Sequence, residues 1–226
     1  YKDKEIYSRM STASKLRIML EKTKEYLLKK ETAGEDIWKR PTYDPKLEAL
    51  IPVIKGELPL KAHVHQANDI YTAIRIAKEF QIGLVLDHCT DGSLIAEDLA
   101  KEGYPVSVGP TLTHATKFEL KNKSFKTPGD LARAGCQVSI ITDSPVIPQQ
   151  FLALCAGLAV NAGMDEFDAL KAITINAAKH IGVEKRVGSL EIGKDADFVI
   201  ADGSPMVSNT KIKYVLIDGK ITYRSE

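Results

Sequence analysis

The chain has 226 residues, 44% of them hydrophobic and 27% charged, an ordinary globular composition for one domain or somewhat more. Lys and Arg together number 31 against 30 for Asp and Glu, a balance that argues against a nucleic-acid or other polyanion partner. No run of about 18 apolar residues predicts a membrane span, and three cysteines (Cys89, Cys136, Cys155) without a CxxC predict a cytoplasmic, reducing setting rather than a disulfide framework.

In chain order, Ser11 to Lys30 predicts an amphipathic helix. Leu16, Met19, Leu20, Thr23 and Leu27 recur at helical spacing, and Ser11, Thr12 and Ser14 offer caps. Asp44-Pro45 opens a second helix and Gly56 closes it, with Pro52 expected to kink it. From Leu58 to His65 apolar and polar residues alternate, which predicts a strand carrying Lys61, His63 and His65 on one face. Lys61 on that face implies a carboxylate partner at the floor of the fold.

A helix over Asp69 to Gln81, a strand over Leu84 to His88, a helix over Ser93 to Lys101 and a strand over Pro105 to Val108 follow. Next come a short helix from Thr127-Pro128 to Gly135 and a strand over Gln137 to Thr142. Helices are then expected over Pro148 to Asn161, Asp165 to Ile173 and Asn176 to Ile181. The tail changes character: a strand over Ala196 to Ala201, then Lys213 to Ile217 and Lys220 to Tyr223 flanking the hairpin signal Asp218-Gly219. Four strands alternating with helices predict parallel βα units, followed by a small antiparallel piece. A closed (β/α)8 barrel takes about 250 residues, so four strands amount to an open sheet or half a barrel.

The chemistry concentrates at the ends of those strands. His63 and His65 end the first, His88 the second, and Asp143 follows the fourth. α/β folds place their active sites at these ends, and a His-His-Asp set there has the donors of a divalent metal site, zinc above all. His63 and His65 fall on one face, roughly 6.5–7 Å apart along the chain. Asp87 points to the other face and reads as structural. Ser144 lacks the G-x-S-x-G surroundings of a nucleophile. His114 lies in the polar loop Pro110 to Lys126, where it can meet substrate or simply face solvent. His180 lies on a helix and reads as structural.

At these residues the sequence resembles the amidohydrolase superfamily, in particular its imidazolonepropionase-related branch. Leu58 to His65 is similar to the family's fifth barrel strand, Leu84 to His88 to its sixth, and Ile141 to Pro145 to its eighth. The most specific stretch is Thr174-Ile175-Asn176-Ala177-Ala178-Lys179 followed by Gly188 to Ile200, similar to the segment where such chains leave the barrel for a small β-sandwich. Ser8-Arg9-Met10 and the helix after it fit less specifically.

The resemblance implies an α/β fold: the C-terminal half of a metal-dependent-hydrolase TIM (β/α)8 barrel over residues 1–185, and the C-terminal strands of a composite β-sandwich over 186–226. The His-x-His pair of the family's first strand and the frequent lysine of its fourth have no counterpart, which implies a fragment. It implies metal ligands His63, His88 and Asp143, catalytic roles for Asp143 and His88, and substrate contacts from His65 and His114. The expected cofactor is a divalent metal, most simply one or two zinc ions in the intact enzyme, with weak binding or none expected in this piece alone.

The expected activity is hydrolysis of a non-peptide, often cyclic, C–N bond, with this piece alone inactive. Two alternatives stand beside it: a dipeptidase or acyl-amino-acid hydrolase of the same superfamily, and a non-catalytic half-barrel that oligomerises to cover its sheet edges. Expected partners are a small-molecule substrate and the N-terminal half of the same protein.

Overall fold

The computed structural model describes residues 8–225. The described residues divide into two compact units, residues 8–62 with 68–85, and residues 63–67 with 86–225.

In the first unit, α1 (Arg9–Ala33) begins with a capping box between Ser8 and Ser11, so the true cap precedes the expected ones. It buries Leu20, Thr23, Tyr26 and Ala33. The helix α2 (Pro45–Ile54) is capped by the Asp44 side chain on the amides of Lys46 and Leu47. It continues through Pro52 to its own end, two residues on, rather than breaking there. The Pro52 carbonyl then accepts from the amides of Glu57 and Leu58 and closes the turn. The Tyr26 hydroxyl donates to Glu48 at 2.6 Å and Lys30 reaches the same carboxylate at 2.7 Å, joining α1 to α2. The Lys30 ammonium and the Tyr26 hydroxyl together hold the Glu48 carboxyl below the usual range. The helix α3 (Ala67–Phe80) buries Ile70, Ile74, Ile76, Ala77 and Phe80. Arg9 pairs with its Asp69 and Arg17 with its Glu79, each at 2.7 Å.

Four strands form one sheet in the order β1 (Leu60–Val64), β2 (Leu84–His88), β3 (Val106–Val108) and β4 (Val138–Ile140). β2, β3 and β4 pair in parallel, with Leu86 opposite Val106 and Val106 opposite Val138. Lys61 is exposed, so no buried floor surrounds it.

In the second unit, α4 (Ala96–Glu102) and α5 (Thr127–Ala134) end on Gly103 and Gly135, both left-handed as their positions after a helix require. A short 3₁₀ turn, Gly92–Ile95, takes the start of the helix expected from Ser93. The helices α6 (Leu152–Asn161) and α7 (Glu166–Ala172) share a core with β4. It is built from Ile140, Ile147, Cys155, Ala156, Ala159, Met164, Ala169, Ala172 and Met206.

The helix α8 (Ile175–His180) is tied to the sheet by polar bonds. Asn176 donates to the Val138 carbonyl at 2.8 Å. His180 lies 2.9 Å from the Ser139 hydroxyl and 3.3 Å from that of Ser107, all three buried. That is the structural role its helix position suggested.

The tail is an antiparallel sheet of β5 (Phe198–Ala201), β6 (Ile212–Ile217) and β7 (Lys220–Arg224), turning at Asp218-Gly219. Both turn residues have positive φ, 51° and 73°, as a tight hairpin demands. None of the described helices is long and apolar enough to cross a membrane.

Candidate metal centre

All five residues singled out at the strand ends and the following loop (His63, His65, His88, His114 and Asp143) line one cavity of about 330 Å³. They belong to the second unit. β1 delivers His63 as its next-to-last residue, and His65 follows directly after the strand. The Asp91 amide donates to the His65 carbonyl at 2.9 Å and holds this segment beside the end of β2. His88 ends β2 with φ 74°, a left-handed conformation that costs a non-glycine side chain energy and occurs where a side chain must be aimed. Asp143, three residues after β4, has φ 52° and is exposed.

The three histidines of the strand ends form a tight group. Their rings lie 4.9 Å (His63 to His65), 4.2 Å (His63 to His88) and 4.8 Å (His65 to His88) apart, centre to centre. One nitrogen from each comes within 4.8 Å of the others, so the group can hold a metal ion. This set differs from the His63, His88 and Asp143 expected from the sequence. Asp143 lines the same cavity without belonging to the tight group, and His65 stands in it on equal terms with His63.

The hydrogen bonds around the rings prepare them as ligands. His88 Nδ1 lies 2.6 Å from the Gly109 carbonyl, which can only accept, so Nδ1 carries a proton and Nε2 is the nitrogen turned toward the other rings. That Nε2 lies 3.1 Å from His63 Nδ1, a hydrogen bond between the two rings. His63 and His88 would each offer a ring nitrogen to a metal ion in place of this bond. His65 Nδ1 is held 2.8 Å from the Thr90 hydroxyl, leaving its Nε2 available. Such partners behind a ligating ring fix its tautomer and orientation.

Burial and the neighbouring rings lower the His65 pKa to about 4. Burial and His88 lower that of His63, against a smaller opposing pull from Asp143. Both rings are thus neutral at physiological pH, the form in which imidazole binds metal. The donor set of three imidazoles beside a carboxylate fits zinc.

Gly109, Thr90 and Lys123 were not singled out from the sequence. Gly109 and Thr90 act through a carbonyl and a hydroxyl, which no local pattern marks. Lys123 lines the cavity from the loop after β3.

The profile of the amidohydrolase family matches residues 20–222. The chain belongs to the amidohydrolase family. The crystal structure of an amidohydrolase from Thermotoga maritima MSB8 superposes with a TM-score of 0.90 and 41% identity, over 96% of this chain and 57% of that one. An imidazolonepropionase of Symbiobacterium thermophilum is 33% identical over 147 residues, 62% of this chain and 33% of that protein. The amidohydrolase tasK of Hapsidospora irregularis is 26% identical over 183 residues, 78% of this chain and 18% of that protein. This amidohydrolase chain therefore spans less than two thirds of the length of each of these relatives.

Proposed function

We propose that this chain is the C-terminal catalytic portion of a metal-dependent amidohydrolase that hydrolyses a non-peptide, often cyclic, C–N bond. The observation that carries the reading is the histidine group. Three imidazoles present ligand nitrogens within 4.8 Å of one another, in a cavity that also receives the Asp143 carboxylate. Residues 1–185 are the part of the barrel resembling strands five to eight, and 186–226 the C-terminal strands of a composite sandwich. Val199, Ile200, Ile217, Ile221 and Tyr223 are exposed on or beside the β5–β7 sheet, which supports a covering segment from the N-terminal half of the same protein or from a second copy. Three free thiols suit a cytoplasmic setting.

His63 and His88 would hold the metal, with Asp143 and His65 at hand to complete its shell. When bound, the ion supplies Lewis acidity and makes water a nucleophile near neutral pH. The chain's own residues do the rest. The Gly109 carbonyl keeps the His88 ring turned so that Nε2 faces the cavity. Asp143, with no hydrogen bond to its carboxylate among the described residues, takes the proton from the attacking water and passes it to the leaving nitrogen. His65 and His114, both in the cavity lining, are placed to contact the substrate. A dipeptide or acyl-amino-acid substrate is the second reading, favoured by the lysine in the cavity wall.

The reading is tested by assaying the chain alone, and together with the N-terminal part of the full-length protein, against cyclic imides, N-acyl amino acids and dipeptides in the presence of zinc. Hydrolysis by the combined halves and not by the chain alone is expected. No turnover of any of these by the zinc-loaded, full-length protein would overturn it.

A further inference from the structure

We infer that Lys123 is a specificity-determining residue of this cavity, selecting substrates that carry a carboxylate at the end remote from the bond to be cleaved. The inference rests on the proposed hydrolase reading for where the bond lies, and on Lys123 itself for the anion.

Among the described residues the Lys123 ammonium has one polar partner, the hydroxyl of Thr113. No carboxylate pairs with it, and burial alone acts on its charge, depressing its pKa. Three lysines elsewhere do have such a partner. Lys30 is held by Glu48, Lys171 by Asp168 and Lys194 by Glu191, each with an oxygen within 3.2 Å.

A half-buried ammonium with only a hydroxyl for company gives up hydration without a countercharge, an arrangement that costs stability unless something else supplies the charge. One nearby acid is already engaged: the Asp91 carboxylate, itself buried, accepts from Asn122 Nδ2 at 2.8 Å and from the Ala67 amide at 3.1 Å.

The cavity wall supplies the context. Lys123 shares it with His114, Lys117, Thr111 and Thr113, all on the segment after β3, while the histidine group and Asp143 form the other part of the lining. Lys117 is exposed and lies 3.8 Å from Glu119, so it is partly neutralised. The Lys123 charge, without a carboxylate partner, thus lies on the loop, and the histidine nitrogens gather at the strand ends. A volume of about 330 Å³ suits a small substrate. A molecule with a carboxylate at one end and an amide-like bond at the other matches this division: the threonine hydroxyls and the ammonium accept the anion, and the bond lies toward the histidines.

The test is equilibrium binding to the metal-stripped 226-residue chain, so that neither turnover nor a bound cation contributes. The probes are N-acetylglycine and N-acetylglycinamide, which differ in charge and scarcely in shape. The parent is expected to bind the carboxylate about tenfold or more tightly than the amide, the scale of one charge-assisted hydrogen bond. Lys123→Gln is expected to erase that preference while leaving the amide's affinity unchanged, which also reports that the cavity has survived. Lys123→Arg should retain the preference.

Equal binding of the two probes by the parent, no binding of either, or a preference that persists in Lys123→Gln would overturn the inference. Carboxylate selection without hydrolysis by the full-length protein would instead sink the proposed activity and leave the lysine's role standing.

Discussion

Gly109→Ala is expected to lower the thermal midpoint by roughly 10 °C and to abolish metal binding at the histidine group. Gly109 has φ 147°, and a Cβ built on it overlaps the Ile141 carbonyl oxygen and falls 2.9 Å from its carbon. Both neighbours are backbone of the segment leaving β4, so relief requires moving that segment rather than turning a side chain. A clash of that kind costs upwards of about 3 kcal/mol, and each kcal/mol moves the midpoint of a chain this size by about 2–4 °C.

The chemical consequence is separate, because the Gly109 carbonyl fixes the His88 ring. Moving it frees the tautomer and turns Nε2 away from His63. Gly34→Ala is the control. Gly34 also has positive φ, 53°, but nothing lies within 4 Å of the added carbon, so only the conformational cost of about 1–3 kcal/mol applies. Thermal unfolding of the two variants, with metal uptake measured alongside, separates steric blockage from loss of glycine freedom. Equal shifts in both would mean that the close approach to Ile141 matters little.

Asp143→Asn in the full-length enzyme is expected to cut kcat by about 10²–10⁴, the usual contribution of a positioned base, with the unfolding midpoint unchanged. The backbone supports this clean separation. Asp143 has φ 52°, a left-handed conformation that Asn adopts as readily as Asp. Its carboxylate makes no hydrogen bond among the described residues that an amide would break. The turn it starts is held by backbone alone, through the Val146 amide to the Asp143 carbonyl at 2.9 Å. What changes is charge and basicity. Steady-state kinetics with a thermal melt decide the matter: turnover within a few-fold of wild type in a folded variant removes Asp143 from the proton path.

The parts of this protein that sequence makes legible are those written locally. Glycines after helices, Asp-Pro and Asp-Gly steps and the alternation along Leu58 to His65 mark elements, because each is a statement about backbone freedom or burial within a few residues. Gly103 and Gly135 end helices where expected, and Asp218-Gly219 turns the hairpin. Boundaries slip where burial is continuous: β3 and β4 are three residues each, buried throughout, and nothing in such apolar runs marks their ends.

The histidines could be placed at strand ends from sequence, since strand order fixes where such ends gather. How the rings group could not. His65 meets Thr90 across 25 residues, and His88 meets Gly109 across 21, contacts set by the register of the parallel sheet. Lys123 was invisible for a further reason. Among the polar residues of its loop it differs only in being half-buried without a carboxylate, and desolvation exists only once the chain has folded.

The central claim is that this chain's own histidines form a metal site, and metal content tests it most directly. The purified chain is incubated with zinc, the excess is removed, and bound metal per chain is measured beside a His63→Ala, His88→Ala double variant that unfolds at the same temperature. About one zinc in the parent and none in the variant is the predicted result. No zinc in the parent, or equal amounts in both, would contradict the account.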